Sequence, residues 1–180
     1  MNPYLEAYNR SLKDFLNQYH QRTDLITRYS WSIPDDEAIG IVAVLPDIVD
    51  MGAGTGYWAS LITAAGGSIR CYDLFLGKDN HYQHRLQYHP IEARGVEILR
   101  TKNFQTLFLS WPPYDMDFGF QCIRSFRGKY LVYVGESEGG CTGNDKMFRL
   151  IDKKWNPIRE IQLTQWEGIH DSLTIYARKE

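Results

Sequence analysis

A chain of 180 residues, 43% hydrophobic and 14% aromatic, is long enough to bury a substantial core and too apolar for intrinsic disorder. Its formal net charge of −2 argues against a broad electrostatic surface for DNA or RNA, so nucleic acid is not an expected partner. No apolar run approaches membrane-spanning length, and Cys71, Cys122 and Cys141, far apart and without a C-x-x-C pair, point to reduced thiols in a cytoplasmic setting rather than to disulfides or zinc.

Met1 to Glu6 holds no basic segment followed by an apolar core, so no signal peptide is expected. Tyr4, Leu5, Tyr8, Leu12, Phe15, Leu16 and Tyr19 recur at helical spacing, which predicts an apolar stripe from about Pro3 to Arg28 with Asn2-Pro3 as cap and first turn. Tyr29-Ser30-Trp31-Ser32-Ile33-Pro34 breaks that helix. Asp35-Asp36-Glu37 opens a second helix running to about Val44, with acids in the first turn, where they suit the dipole.

A β-branched run, Ile48 to Met51, then leads into Gly52-Ala53-Gly54-Thr55-Gly56 and a helix from Tyr57 to about Ala65, closed by Gly66-Gly67. Ser68 to Asp73 reads as a second strand, so strand, turn, helix and strand form a right-handed parallel unit. Phe75 to Pro90 is polar, aromatic and aperiodic: a long loop. Within it, His81-Tyr82-Gln83-His84 and His89 could hold a metal, but without companion cysteines or an H-E-x-x-H pattern a lid is the better reading and no metal is assigned. Ile91 to Lys102 gives a short strand or turn and a helix, Thr106 to Trp111 a buried strand, Phe118 to Phe126 a helix and Tyr130 to Val134 another strand. A helix follows over Asn144 to Ile151. Lys146, Arg149, Lys153 and Lys154 around it read as a solvated face rather than a nucleic-acid patch. The chain ends in two strands, Ile158 to Leu163 and Ser172 to Arg178, which suggest an antiparallel hairpin. With no repeat or linker, residues 1–180 read as a single domain, 1–34 forming a helical extension and cover and 35–180 the core.

The singled-out residues fall at the carboxyl ends of strands: Asp50 and the glycine turn, Asp73, Ser110-Trp111-Pro112-Pro113-Tyr114, and Gly135-Glu136. In an open α/β sheet that is where ligands bind. The G-x-G-x-G phasing and the terminal hairpin count against NAD, whose fingerprint is G-x-G-x-x-G.

This order, from about Ile39 to Arg178, resembles the Rossmann-like (class I) S-adenosylmethionine-dependent methyltransferases. Tyr29 to Pro34, the glycine turn, Trp111-Pro112-Pro113-Tyr114 and Gly139-Gly140-Cys141-Thr142 together resemble a little-characterised small group among them. The resemblance implies an α/β fold with a seven-stranded, mostly parallel sheet of order 3-2-1-4-5-7-6, helices on both faces and an antiparallel terminal hairpin. S-adenosylmethionine is the implied cofactor. Gly52, Gly54 and Gly56 would surround its methionine part, Asp50 would hold the amino end, and Asp73 would accept from the ribose hydroxyls. Ala53, Thr55, Tyr57, Leu74, Ser110 and Trp111 complete the expected contacts, with Tyr29 and Trp31 as a cover; core packing is an equal reading for those two rings.

Trp111-Pro112-Pro113-Tyr114 is similar to the [DNS]-P-P-[YF] motif of amine methyltransferases, but Trp111 brings a donor where the motif has an acceptor oxygen. Pro112, Tyr114, Asp115 and Glu136 are the candidate catalytic residues. Asp117 is a further available proton acceptor, and a rigid loop or solvated acids are the plainer readings. The implied activity is methyl transfer to a small-molecule or peptide acceptor, an amine among the candidates. The alternative is a non-catalytic cofactor-binding or regulatory module on the same fold.

Overall fold

The computed structural model describes residues 2–12, 18–76 and 86–180. Its elements are α1 (Pro3–Ser11), α2 (Gln18–Arg28), α3 (Asp36–Ala43), β1 (Ile48–Met51), α4 (Tyr57–Ala64), β2 (Ile69–Asp73), β3 (Ile91–Ala93), α5 (Ile98–Thr101), β4 (Thr106–Ser110), α6 (Phe118–Ser125), β5 (Tyr130–Gly135), α7 (Asp145–Lys154), β6 (Trp155–Gln162) and β7 (Ser172–Arg178). One seven-stranded sheet runs in the order β3-β2-β1-β4-β5-β7-β6, the order that the family resemblance implies. Pairings are parallel from β3 to β5, and β7 is antiparallel to both β5 and β6.

Strand alternation divides the core into two layers. Val49, Met51, Leu107, Leu109, Leu131 and Tyr133 pack with α5, α6 and α7. Ile48, Ile69, Cys71, Phe108, Val132 and Val134 pack with α3 and α4 on the other face. Asp50 shares this second face with Ile48 and pairs in register with Cys71, so the acid at the end of β1 points toward the α4 side.

Local chemistry explains several boundaries. The Asn2 side chain accepts the Leu5 N–H and Pro3 sits at the first turn, so α1 starts as the sequence predicts. At the end of α4 the Gly66 N–H returns to Thr63 and the Gly67 N–H to Ile62, with Gly66 at φ 92°. That pattern is a Schellman closure.

Two elements differ from expectation. In the first helical stripe α1 ends at Ser11 with Leu12 in a turn and α2 begins at Gln18, while the predicted Phe15 and Leu16 lie outside the described residues. The last hairpin begins at Trp155 rather than Ile158. Pro157 argues against a strand interior, but β6 is the sheet edge, where a missing N–H is tolerated, and the register shifts between Pro157 and Arg159.

A third cluster, of Tyr4, Tyr29, Ile33, Tyr57 and Trp166, fastens the N-terminal residues to α4 and to the loop between β6 and β7. Tyr57 Oη donates to Asn2 Oδ1 (2.8 Å) and Trp166 Nε1 to Tyr4 Oη (3.0 Å). Among the described residues, no helix is long and apolar enough to cross a membrane.

Candidate functional site

The turn after β1 holds Gly52, Gly54 and Gly56 at φ of 75°, 58° and 71°, a region that strains any side chain. The N–H groups of Gly52 and Ala53 return to the Tyr72 carbonyl (2.8 and 3.3 Å), and that of Gly54 donates to Asp73 Oδ2 (3.0 Å). Asp73 Oδ1 accepts the Phe75 N–H (3.0 Å). The acid that ends β2 is thereby tied to the turn that follows β1. Thr55 Oγ1 accepts the Tyr57 N–H at 3.1 Å, helping start α4, and donates to the Tyr29 carbonyl.

Beside this turn lies a cleft of about 360 Å³, mouth included. It sits at the carboxyl ends of β1 and β4, where the strand order reverses direction. The turn contributes Gly52, Ala53, Gly54 and Thr55, β1 contributes Asp50, and the segment after α2 contributes Tyr29, Ser30 and Trp31. Tyr57 and Trp58 of α4, and Ser110 and Trp111, complete the lining.

Asp50 is 3% exposed, and among the described residues its carboxylate receives one donor, the Cys71 thiol 3.9 Å away. Burial, reinforced by the nearby Asp73, pushes its carboxyl up to about 8 against the weaker pull of the thiol. Among the described residues no cation pairs with it.

Ser110 continues the α4-facing side of β4. Its hydroxyl meets that of Ser32 at 3.1 Å, and Ser32 Oγ accepts the Trp58 indole N–H at 2.9 Å. Trp111 leaves the strand at φ 51° while its own N–H donates to the Val134 carbonyl (2.8 Å). Its ring stacks on Trp31, centroids 5.1 Å apart and planes 18° apart. Its indole N–H is shared between both carboxylate oxygens of Asp171, at 2.9 Å each.

Solved structures share this architecture. The 1,6-didemethyltoxoflavin-N1-methyltransferase of Burkholderia thailandensis, with 1,6-didemethyltoxoflavin and S-adenosylhomocysteine bound, superposes with a TM-score of 0.55 at 17% identity, over all of this chain and 91% of that one. The fold is that of the Rossmann-like methyltransferases. The N-methyltransferase NodS of Bradyrhizobium japonicum WM9, in complex with S-adenosylhomocysteine, matches this methyltransferase fold over the whole of both chains (TM-score 0.54, 10% identity). Magnesium protoporphyrin IX methyltransferase of Synechocystis PCC 6803, with bound SAM, gives 0.53 at 11% identity, over 93% of this chain and 83% of that one. No protein-family model matches the sequence, and no curated protein sequence matches it significantly.

The sequence-predicted residues divide in two. Tyr29, Trp31, Asp50, Gly52, Ala53, Gly54, Thr55, Tyr57, Ser110 and Trp111 come together in the cleft lining. Gly56 caps α4 beside it, Asp73 stands behind Gly54, and Leu74 projects into solvent. The candidate catalytic residues lie outside the lining. Pro112 is buried and its carbonyl accepts the Gly143 N–H at 2.7 Å. Tyr114 is 60% exposed, and Asp115 is exposed with it on the turn before α6.

Asp117 pairs with Lys146 (2.8 Å) and accepts from Asn144 (2.9 Å), and the Lys146 ammonium holds its carboxyl below the usual range. Glu136 accepts the N–H of Cys141 (2.7 Å) and of His170 (3.0 Å). Burial alone would raise its carboxyl, but those backbone donors outweigh it and hold the group low.

His81 and His84, with the lid and metal readings there, lie outside the described residues. His89 approaches Thr63 Oγ1 (3.3 Å), and the described residues contain no metal-binding cluster. Sequence reasoning missed Ser32, Trp58 and Asp171. Asp171 is 60 positions from Trp111, and only the β5-β7 pairing brings the two together.

Proposed function

We propose that the chain is an S-adenosylmethionine-dependent methyltransferase acting on a small-molecule or peptide acceptor, an amine among the candidates. The observation that carries this reading is Asp50, a buried carboxylate lining the cleft without a cation partner among the described residues, just before a turn of three left-handed glycines. It suits the ammonium end of a methionine moiety. The Asp73 carboxylate, which accepts the Gly54 and Phe75 N–H groups beside the glycine turn, is the acid that suits the ribose hydroxyls. The cofactor, when bound, supplies an electrophilic methyl group on a sulfonium.

The chain's own part is to bind, aim and dry. The rings of Tyr29, Trp31, Tyr57, Trp58 and Trp111 crowd the cleft and exclude water, and the Ser30 and Ser110 hydroxyls provide neutral polar contacts. In this reading Tyr114 and Asp115, on the exposed turn, meet an acceptor arriving from solvent. Glu136 serves to hold the Cys141 and His170 backbone rather than to move a proton. A cytoplasmic setting agrees with the three free cysteines.

Transfer of a labelled methyl group from S-adenosylmethionine to dialysed cell extract tests the proposal. Labelled product that depends on the protein supports it. Saturable cofactor binding with no transfer to any fraction assigns the non-catalytic module instead.

A further inference from the structure

Asp171 is, with Asp50 and Glu136, one of the buried acids at this end of the sheet, at 1% exposure, and has no ion pair among the described residues. Its backbone is fixed from several directions. The carbonyl accepts the Leu163 N–H (3.3 Å) and the side-chain amides of Gln162 (3.1 Å) and Gln165 (2.9 Å). Among the described residues its carboxylate is aimed at one partner, the Trp111 indole N–H, which both oxygens accept. Trp111 needs such a partner. It stands at φ 51°, a conformation that costs a bulky residue about 1 kcal/mol or more, and its ring forms a cleft wall through the stack on Trp31.

We propose that Asp171 is a positioning residue for the methyl-transfer site. By holding the Trp111 indole N–H it fixes the Trp111–Trp31 stack as the wall of the cleft beside the end of β4. The inference rests on the methyltransferase reading for the use of that wall, but not for its geometry. It also accounts for the departure at the proline motif. Where amine methyltransferases carry an acceptor side chain before the two prolines, this chain carries a donor, and the matching acceptor comes from the terminal hairpin. The acid is shielded behind the indole, so the wall presents ring surface and no charge.

The groups that act electrostatically with Asp171 are Glu136 at the end of β5, His170 beside it in the chain, Arg22 of α2, Tyr4 of α1, Tyr133 of β5 and Cys141. Burial is the main influence and pushes the carboxyl up to about 7, so the strength of its grip on the indole varies around neutrality.

Two stacked indoles give an exciton couplet in circular dichroism, which reads the wall without any ligand. The couplet should be present in the wild type and absent in Trp31→Phe, which assigns it. It should survive in Asp171→Asn, whose amide oxygen still accepts, and be lost in Asp171→Ala. An unchanged couplet in Asp171→Ala overturns the proposal. If that variant does not fold, Asp171→Leu, of nearly the same shape and without an acceptor, takes its place: loss of the couplet supports the proposal and an unchanged couplet overturns it. Methyl transfer to extract by Asp171→Asn should stay near wild type, with Asp171→Ala losing turnover. Failure of wild-type transfer removes the methyltransferase reading and leaves the couplet to judge the positioning.

Discussion

The Asp50 carboxylate makes the proposed cofactor site pH-dependent by an amount that can be worked out. Its carboxyl is raised to about 8, while the ammonium of a bound methionine moiety is attracted to the ionised form only. With that value, about 1% of the apo protein is ionised at Asp50 at about pH 6 and about a quarter at about pH 7.5. Over this window the ligand amine stays mostly protonated, so affinity should rise about 20-fold, or about 1.8 kcal/mol. Asp50→Asn keeps the shape, removes the charge, and should bind weakly with a flat profile. Equilibrium dialysis against labelled S-adenosylmethionine at intervals across the window measures both proteins. The reasoning is refuted by a flat wild-type profile, or by a slope that persists in Asp50→Asn.

Stability should move the opposite way with pH. Asp50 and Asp171 both have folded-state values above their unfolded ones, near about 8 and about 7. The stability they contribute through bound protons is therefore full below about pH 4 and lost as pH rises through about 7 to 8; Asp171 alone represents about 4 kcal/mol. Denaturant unfolding should give a lower stability near about pH 8.5 than near about pH 5, and Asp171→Asn should flatten part of that fall; equal stabilities at both ends contradict the assignment. Gly52→Ala places a Cβ at φ 75° and 3.0 Å from the Phe118 ring, and should cost about 1–2 kcal/mol in urea unfolding; a neutral result would mean the turn relaxes. Asp73→Ala should raise the dissociation constant for S-adenosylhomocysteine roughly ten- to hundredfold by calorimetry, the loss of one or two hydrogen bonds to a charged group, and unchanged affinity removes Asp73 from the ribose role.

The parts of this molecule that were legible in the sequence are those determined within a few residues. β1, the glycine turn and α4 follow one another with no intervening loop, and the steric demand at three left-handed positions is written directly as glycine. The residue patterns by themselves give one parallel unit and the final hairpin, and the observed strand order is the one that the resemblance to the Rossmann-like methyltransferases implies. The start of β6 was hidden by Pro157, because nothing local says that a strand will be an edge. Distance in sequence hid the rest. The partnership of Trp111 with Asp171 needs β5 and β7 in place, and the tie from Ser110 to Ser32 spans 78 positions. Glu136 carries the same lesson: its place at the end of β5 was readable, but the backbone donors from Cys141 and His170 that occupy its oxygens were not.

The most direct test of the central claim is a crystal structure of the wild-type protein with S-adenosylhomocysteine. Ligand density is expected in the cleft beside the glycine turn, with the amino end at Asp50, the ribose at Asp73, and the Trp31–Trp111 wall next to the sulfur. Density at any other place, or a ligand lying in the reverse direction between the two acids, would contradict it.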